Sequence, residues 1–117
     1  MDKLNFITIF LIFIISLFVL TFKLDLVPNG IYVDEATSGF NAYSVLKTGR
    51  DEYGKDFPIA FRFFGSYSPP LYVYLTVIPV YLAELNEFSV RIVSAISGSL
   101  MILVIYFFLR SSGLVNK

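Results

Sequence analysis

The sequence contains no cysteine, no histidine and no tryptophan, and charged residues make up only 15% of its 117 positions. Without histidine or cysteine there is no Ser-His triad, no thiol nucleophile and no zinc site of the usual ligand types. Without cysteine there is also no disulfide framework, so the redox compartment is not indicated. The formal net charge is zero, which argues against a nucleic-acid partner because nucleic-acid binding requires a positively charged surface.

Hydrophobic residues, by contrast, make up 56% of the chain, more than the roughly 45–50% of soluble domains. Two long runs, residues 4–22 and 92–109, carry no charge over nineteen and eighteen positions. At about 1.5 Å per residue, each run as a helix approaches the roughly 30 Å of a bilayer core. A cleaved signal peptide is the alternative for the first run, but the run is long and no small-x-small cleavage site follows it.

A shorter apolar run follows Pro69 and Pro70 and ends at Ala83. The proline pair predicts a helix start, because proline is tolerated in the first helical turn. Pro79 lies inside the run, where a kink is expected that membrane helices tolerate. The alternative is a buried or interfacial helix of a larger protein. We predict an all-α membrane protein, a single portion 1–117, with about three transmembrane helices at residues 4–22, 69–84 and 90–109.

The long segment 23–68 contains eleven of the eighteen charged residues, and a loop of this length is usually functional. Within it, residues 34–48 predict a short amphipathic helix, with Asp34 as N-cap and Gly49 just past its end. We expect this helix to lie along the membrane surface or against the spans. The acidic residues that follow it, Asp51, Glu52 and Asp56, are interpreted as a solvated loop. The helix carries an apolar stripe at helical spacing, formed by Ala36, Phe40, Tyr43 and Leu46.

The acidic pair Asp34-Glu35 has two interpretations. In the first, Asp34 simply caps the helix. In the second, the pair is functional, because it follows a membrane exit and begins a surface helix. A carboxylate there could act as general base toward a hydroxyl acceptor, or could hold a divalent cation such as Mg²⁺ or Mn²⁺ beside a phosphate. The residues alone leave both interpretations open.

The distribution of basic residues gives conflicting signals about orientation. If three spans alternate across the membrane, Lys3 and Arg91 lie on one side and the basic residues of the long loop lie on the other. Counting basic residues then places the loop in the cytoplasm. A folded loop of mixed charge can nevertheless cross a membrane, so counting leaves the orientation open.

Four motifs, in this order, resemble the N-terminal part of a family of multi-spanning glycosyltransferases with the GT-C fold. The family comprises enzymes of the dolichyl-phosphate-mannose–protein mannosyltransferase and aminoarabinose transferase type. The resemblance extends from about Ile7 to Leu109. The motifs are Asp34-Glu35-Ala36, Gly49-Arg50-Asp51-Glu52-Tyr53-Gly54, Pro69-Pro70-Leu71-Tyr72 and Asn86-Glu87-Phe88-Ser89-Val90-Arg91.

The resemblance implies hexosyl or pentosyl transfer from a polyprenyl-phosphate donor to a protein, lipid or glycan acceptor outside the cytoplasm. By motif position, Asp34 is the catalytic base and Glu35 organises the site beside it. Arg91 corresponds to a structural basic residue at the cytoplasmic start of the third span. The implied location is a multi-pass membrane protein, in the plasma membrane if prokaryotic, with loop 23–68 extracytoplasmic.

Two departures from the family pattern affect the expected site. Relatives carry Lys or His before the proline pair, where this chain has Ser68, and Arg62 is the candidate replacement; both are therefore predicted to bind substrate. Relatives also continue for many more spans, so the chain is expected to be an N-terminal fragment that is inactive in isolation. The alternative is a non-catalytic three-span protein that binds lipid or a partner through tyrosines and the small residues of its third span.

Overall fold

The structure, a computed structural model, describes residues 3–113, with side chains from residue 6 onward. This part of the chain is mostly helical, as predicted, and it also contains a two-stranded antiparallel sheet that was not predicted. In chain order the elements are α1 (Lys3–Thr21), α2 (Val33–Thr48), β1 (Phe61–Phe63), β2 (Ser66–Ser68), α3 (Pro70–Ala83) and α4 (Glu87–Ser111).

The three apolar runs all form helices, but they differ in their ability to cross a membrane. Among the described helices, α4 alone is long and apolar enough, by length and composition, to do so. The described apolar parts of α1 and α3, Phe6–Thr21 and Pro70–Ala83, are shorter. The structure therefore establishes one candidate span, and three spans are not established.

Residues 23–93 form one compact unit, in which α2 packs against α3. The core of this unit consists of apolar side chains from both helices and from β1. On α3 the buried positions Val73, Thr76 and Val80 recur at the three- and four-residue spacing that places them on one helix face. The buried apolar side chains are Ala42, Val45, Phe61, Val73 and Val80.

The apolar stripe predicted on α2 does not coincide with the residues that the helix buries. Phe40 and Tyr43 are 51% and 39% exposed, whereas the buried residues of the helix are Ser38, Gly39, Asn41, Ala42 and Val45. Four of these five side chains are small or polar. A Cβ at Gly39 would lie 2.6 Å from Cγ2 of Val90. Gly39 therefore permits a close approach of Val90 to the buried face of α2, which also supplies Ala42 and Val45 to the apolar core.

The loop after α2 is a structured turn. Gly49 adopts φ +72° and its N–H donates to the Val45 carbonyl, as expected for a residue that ends a helix. Asp51 is 5% exposed and accepts hydrogen bonds from the N–H groups of Tyr53 and Lys55 at 3.0 and 2.8 Å. The interpretation of Asp51 as a solvated residue is therefore wrong, because its carboxylate satisfies two backbone donors inside the turn.

A hairpin links this turn to α3. β1 and β2 pair with Phe61 opposite Ser68 and Phe63 opposite Ser66. The two connecting residues, Phe64 and Gly65, both have positive φ angles, which is the conformation of a tight two-residue hairpin turn. The hairpin ends two residues before α3 begins, so it fixes the position of Ser68 relative to that helix.

The second compact unit contains α1 and the part of α4 from Ser94 onward. Within it, Cδ1 of Leu20 lies 3.2 Å from the position that a Cβ on Gly98 would occupy. Ser99 is buried, and its hydroxyl donates to the Ala95 carbonyl at 2.9 Å. The small residues of α4 thus permit a close helix approach at Gly98, as predicted.

Candidate functional site

The first turn of α2 carries the acidic pair. Tyr32 is the N-cap residue, with φ −73° and ψ 152°, and its N–H donates to Oε2 of Glu35 at 3.0 Å. A carboxylate at the third helical position that accepts this N–H is one half of a capping box. The prediction that Asp34 is the N-cap is wrong, because Asp34 is already the second helical residue and Glu35 supplies the capping carboxylate.

Glu35 is held by the guanidinium group of Arg91, whose side chain is 4% exposed. Arg91 Nε and Nη2 donate to Glu35 Oε1 and Oε2, both at 3.1 Å. Its remaining N–H groups donate to the carbonyls of Leu24, Pro28 and Gly30 at 3.1, 3.1 and 2.6 Å. All five donors of the guanidinium are therefore satisfied, and Arg91 ties the segment after α1 to the start of α2.

These contacts overturn the predicted position of Arg91. A residue across a bilayer from the long loop would be separated from it by roughly 30 Å, yet Arg91 contacts Gly30 and Glu35 directly. Arg91 lies on the same side as the long loop. The physical reason is that the irregular chain after α1 has carbonyl groups that need donors, and the guanidinium provides them.

Hydrogen bonds from the Arg91 guanidinium lower the pKa of Glu35 from its ordinary value of 4.5. Partial burial of the carboxylate opposes this effect, and the Tyr32 N–H and the positive charge of Arg91 reinforce it. Glu35 is therefore an anion committed to Arg91 and to the helix N-terminus. A group held in this way organises a site and is poorly suited to exchange protons with a substrate.

A cavity of about 460 Å³ opens beside this pair. It brings together the first turn of α2, the hairpin and the first turn of α3, segments that lie up to 38 positions apart in the sequence. The acidic pair and the Pro-Pro-Leu-Tyr motif, which the resemblance associates, therefore border the same space. The residues that line the cavity are Asp34, Glu35, Ser38, Phe63, Ser66, Tyr67, Ser68, Pro69 and Tyr72.

The cavity is lined by carboxylates, hydroxyl groups and aromatic rings, and no lysine or arginine is among its lining residues within the described chain. The carboxylate of Asp34 is exposed and makes no hydrogen bond or ion pair with residues 6–113. It is therefore the carboxylate that remains accessible for an external hydroxyl group. Aromatic faces and hydroxyl groups suit a polar, uncharged ligand better than they suit a phosphate.

The two predicted substrate-binding residues lie in different places. Ser68 borders the cavity of Asp34. Arg62 does not, because its guanidinium lies over the Tyr53 ring, 5.4 Å from the centroid, and borders a separate cavity of about 120 Å³. Side chains alternate between the two faces of a strand, and Phe63 rather than Arg62 faces Asp34. The structure does not bring Arg62 to the acidic pair.

Several lining residues were missed in the sequence. Ser38 follows Asp34 by four positions, a helical spacing that places both on one face, so this residue was predictable. Ser66, Tyr67 and Phe63 reach the cavity through the hairpin, for which the sequence offered only the Phe64-Gly65 turn as a signal. Tyr72, already in the recognised motif, donates from its hydroxyl to the Val90 carbonyl at 2.7 Å.

No protein-family model, curated protein or solved structure matches this chain. Among the described residues, no group of three or more acidic side chains comes together in a way that could hold a metal ion. The interpretation of the site therefore depends on its own geometry and chemistry, and the involvement of Mg²⁺ or Mn²⁺ stays a prediction.

Proposed function

We propose that the chain is part of a membrane glycosyltransferase that transfers a sugar from a polyprenyl-phosphate donor to an extracytoplasmic acceptor. The observation that carries this proposal is the cavity shared by the acidic pair and the segment Ser68–Tyr72. These motifs are distant in sequence, and each would need to face the same substrate in such an enzyme. Their shared cavity supports a common role.

In this proposal Asp34 is the general base. As an acceptor hydroxyl attacks the sugar carbon, the polyprenyl phosphate leaves with the electrons of the broken carbon–oxygen bond, and Asp34 takes the hydroxyl proton. A carboxylate in this role contributes about 10²–10⁴-fold to the rate. Its accessibility within the cavity supports the assignment, and Glu35 acts beside it as a positioning residue held by Arg91.

The cavity is proposed to receive the acceptor rather than the donor phosphate. A phosphate needs cationic side chains or backbone donors, and the lining residues include none of the nine lysines and arginines of the chain. Ser68 and Ser38 can hydrogen-bond an acceptor hydroxyl group, and the Tyr67 and Phe63 rings offer an apolar face. Contacts to the phosphate are left to basic groups outside this cavity.

The test replaces Asp34 with asparagine in the protein expressed from its complete reading frame. Membranes are supplied with radiolabelled polyprenyl-phosphate sugars, and transfer to endogenous acceptors is measured. We expect Asp34→Asn to lower kcat by about 10²–10⁴-fold without loss of membrane insertion. The matched control is Asp56→Asn, because Asp56 is also exposed but pairs with Arg50 at 2.7 Å, away from the cavity.

Transfer by Asp34→Asn at the wild-type rate would remove Asp34 from the mechanism. Equal loss of transfer in Asp34→Asn and Asp56→Asn would point to a general effect of charge on the loop. Labelling of the cavity by a photoreactive acceptor, and its loss in Ser68→Trp, provides a second readout that needs no turnover.

A further inference from the structure

Helix α3 is apolar on two opposite faces. One face, with Val73, Thr76 and Val80, is buried against the core of its unit. The opposite face carries four aliphatic residues at spacings of four, three and four positions, which place them in one line along the helix. These residues are 41–74% exposed: Leu71, Leu75, Ile78 and Leu82.

We infer that α3 lies in the surface of one leaflet, with this aliphatic stripe in lipid, and that the chain crosses the membrane with α1 and α4 only. The inference depends on the membrane location proposed above, but not on the transferase activity. The occupant of the stripe is thus the bilayer itself, rather than a protein partner.

The length and partner of α3 argue against a crossing. Its 14 residues span about 21 Å as a helix, which is less than the roughly 30 Å of a hydrocarbon core. Its packing partner α2 carries Asp34 and Glu35 in its first turn and Lys47 in its last turn. Because α3 packs against α2, the two helices must lie at a similar depth. The charged residues of α2 need water, so this depth is the membrane surface and not the hydrocarbon core.

The position of Arg91 gives independent support. A chain that crossed the membrane in α3 would emerge on the opposite side, and the start of α4 would lie there too. Instead, Arg91 on the second turn of α4 binds the carbonyl groups of Leu24 and Gly30, which belong to the segment directly after α1. Both ends of α3 and the start of α4 are therefore on the side where α1 ends.

The connection to α4 keeps α3 near the bilayer. Only three residues separate Ala83 from Glu87, and three extended residues reach about 10 Å. Since α4 is the helix able to cross a membrane, the end of α3 cannot leave the bilayer surface. Tyr81, 73% exposed near this end, suits the boundary between lipid and water.

The two-span arrangement also removes the conflict over orientation. The polar segment becomes residues 23–91, and the positive-inside rule is reliable for loops shorter than about 60 residues. The basic residues that remain for counting are Lys3, the first residue of α1, Arg110 in the last turn of α4, and Lys117, which follows α4 in the sequence. They fall on one side, the cytoplasmic one, which leaves residues 23–91 outside.

Single-cysteine labelling tests the topology, since these 117 residues contain no cysteine. Ser66→Cys and Ala83→Cys bracket α3, and Ser112→Cys follows α4. In intact cells a membrane-impermeant maleimide should label the first two and should label Ser112→Cys only after permeabilisation. Labelling of Ser66→Cys and Ala83→Cys from opposite sides would overturn the inference.

Spin labels test the occupant of the stripe. Ile78→Cys lies on the stripe and Phe40→Cys on the outward face of α2, with natural side chains that are 59% and 51% exposed. In the full chain in lipid vesicles, we expect the label at position 78 to collide with oxygen and that at position 40 with a water-soluble nickel complex. Nickel access at position 78, or exclusion of both reagents by a protein partner, would overturn the lipid assignment.

Failure of the topology and failure of the proposed function give different results. If both ends of α3 label from one side but Asp34→Asn transfers sugar normally, the membrane arrangement holds and the transferase mechanism does not. If a carbonate wash extracts the chain from membranes, the membrane location itself is wrong, and the lipid assignment of the stripe is wrong with it.

Discussion

Arg91 and Glu35, 56 positions apart in the sequence, form a bidentate ion pair. Nε and Nη2 of Arg91 lie 3.1 Å from Oε1 and Oε2 of Glu35, respectively. The same guanidinium holds three backbone carbonyls. Arg91 therefore joins the start of α4, the start of α2 and the chain that leaves α1. Because Asp34 directly precedes Glu35 and both line the same cavity, this pair also helps to position the proposed catalytic base.

Replacement of Arg91 by lysine should destabilise the unit formed by residues 23–93. Lysine keeps the positive charge but has three N–H donors on one nitrogen instead of five on a planar guanidinium. It therefore cannot form the bidentate pair with Glu35 and also donate to three backbone carbonyls. We expect a loss of about 3 kcal/mol in the free energy of unfolding, measured by chemical denaturation in detergent micelles. Arg110→Lys is the control, and an equal effect of the two substitutions would contradict a special role for Arg91.

The pair should also make stability depend on pH in a defined direction. Because the pKa of Glu35 is lowered in the folded protein, its contribution is fully present above its ordinary value of 4.5 and is lost as the pH falls through the lowered value. We expect the stability difference between the wild type and Glu35→Gln to be largest at neutral pH and to shrink in acid. A difference that stays constant across that range would show that Glu35 does not act through its charge.

Gly39 should be intolerant of alanine although alanine favours helices by about 1 kcal/mol. An added Cβ would lie 2.6 Å from Val90 Cγ2 and 3.2 Å from Leu85 Cδ1, and overpacking costs about 1–3 kcal/mol. We expect Gly39→Ala to lower the thermal unfolding midpoint. In a Val90→Ala background the same substitution should be neutral or stabilising, and additive effects of the two changes would argue against the close approach.

Asn41 should stabilise the turn after α2. Its side chain is buried, donates to Glu52 Oε1 at 3.0 Å and accepts from the Glu52 N–H at 3.1 Å. Asn41→Ala leaves these groups without partners, at a cost of about 1–3 kcal/mol, and should increase hydrogen exchange at residues 50–57. Glu52→Gln retains an acceptor oxygen and serves as control. Unchanged exchange in Asn41→Ala would show that the turn is held by Asp51 alone.

The helices were predictable because their signals are local. Residues 34–48 were predicted as a helix that ends before Gly49, and α2 spans Val33–Thr48 with Gly49 at φ +72°. The proline pair predicted the start of α3 at Pro70. In both cases a few neighbouring residues carry the information, through the rigid ring of proline and the freedom of glycine to adopt positive φ.

The candidate site was predictable only in part. Asp34, Glu35 and Ser68 share one cavity, whereas Arg62 lies on the other face of β1. The prediction that Asp34 is the N-cap failed because the helix starts earlier than predicted: Tyr32 is the N-cap residue, two positions before Asp34, and Glu35 accepts the Tyr32 N–H. The hairpin contributes Phe63 and Tyr67 to the cavity, and a three-residue strand is too short to show a clear alternating pattern.

The sequence by itself determined the apolar helices and the acidic pair at the start of α2. It also excluded a Ser-His triad, a thiol nucleophile and the usual zinc sites. Composition and the spacing of near neighbours suffice for these conclusions. Tertiary structure alone decided that Arg91 binds Glu35, that α2 buries Gly39, Ala42 and Val45 while Phe40 stays exposed, and that Arg62 lies away from Asp34. These outcomes depend on which distant groups satisfy each buried donor and acceptor and on how closely two backbones can approach. Neither condition can be inferred from a short segment of the sequence.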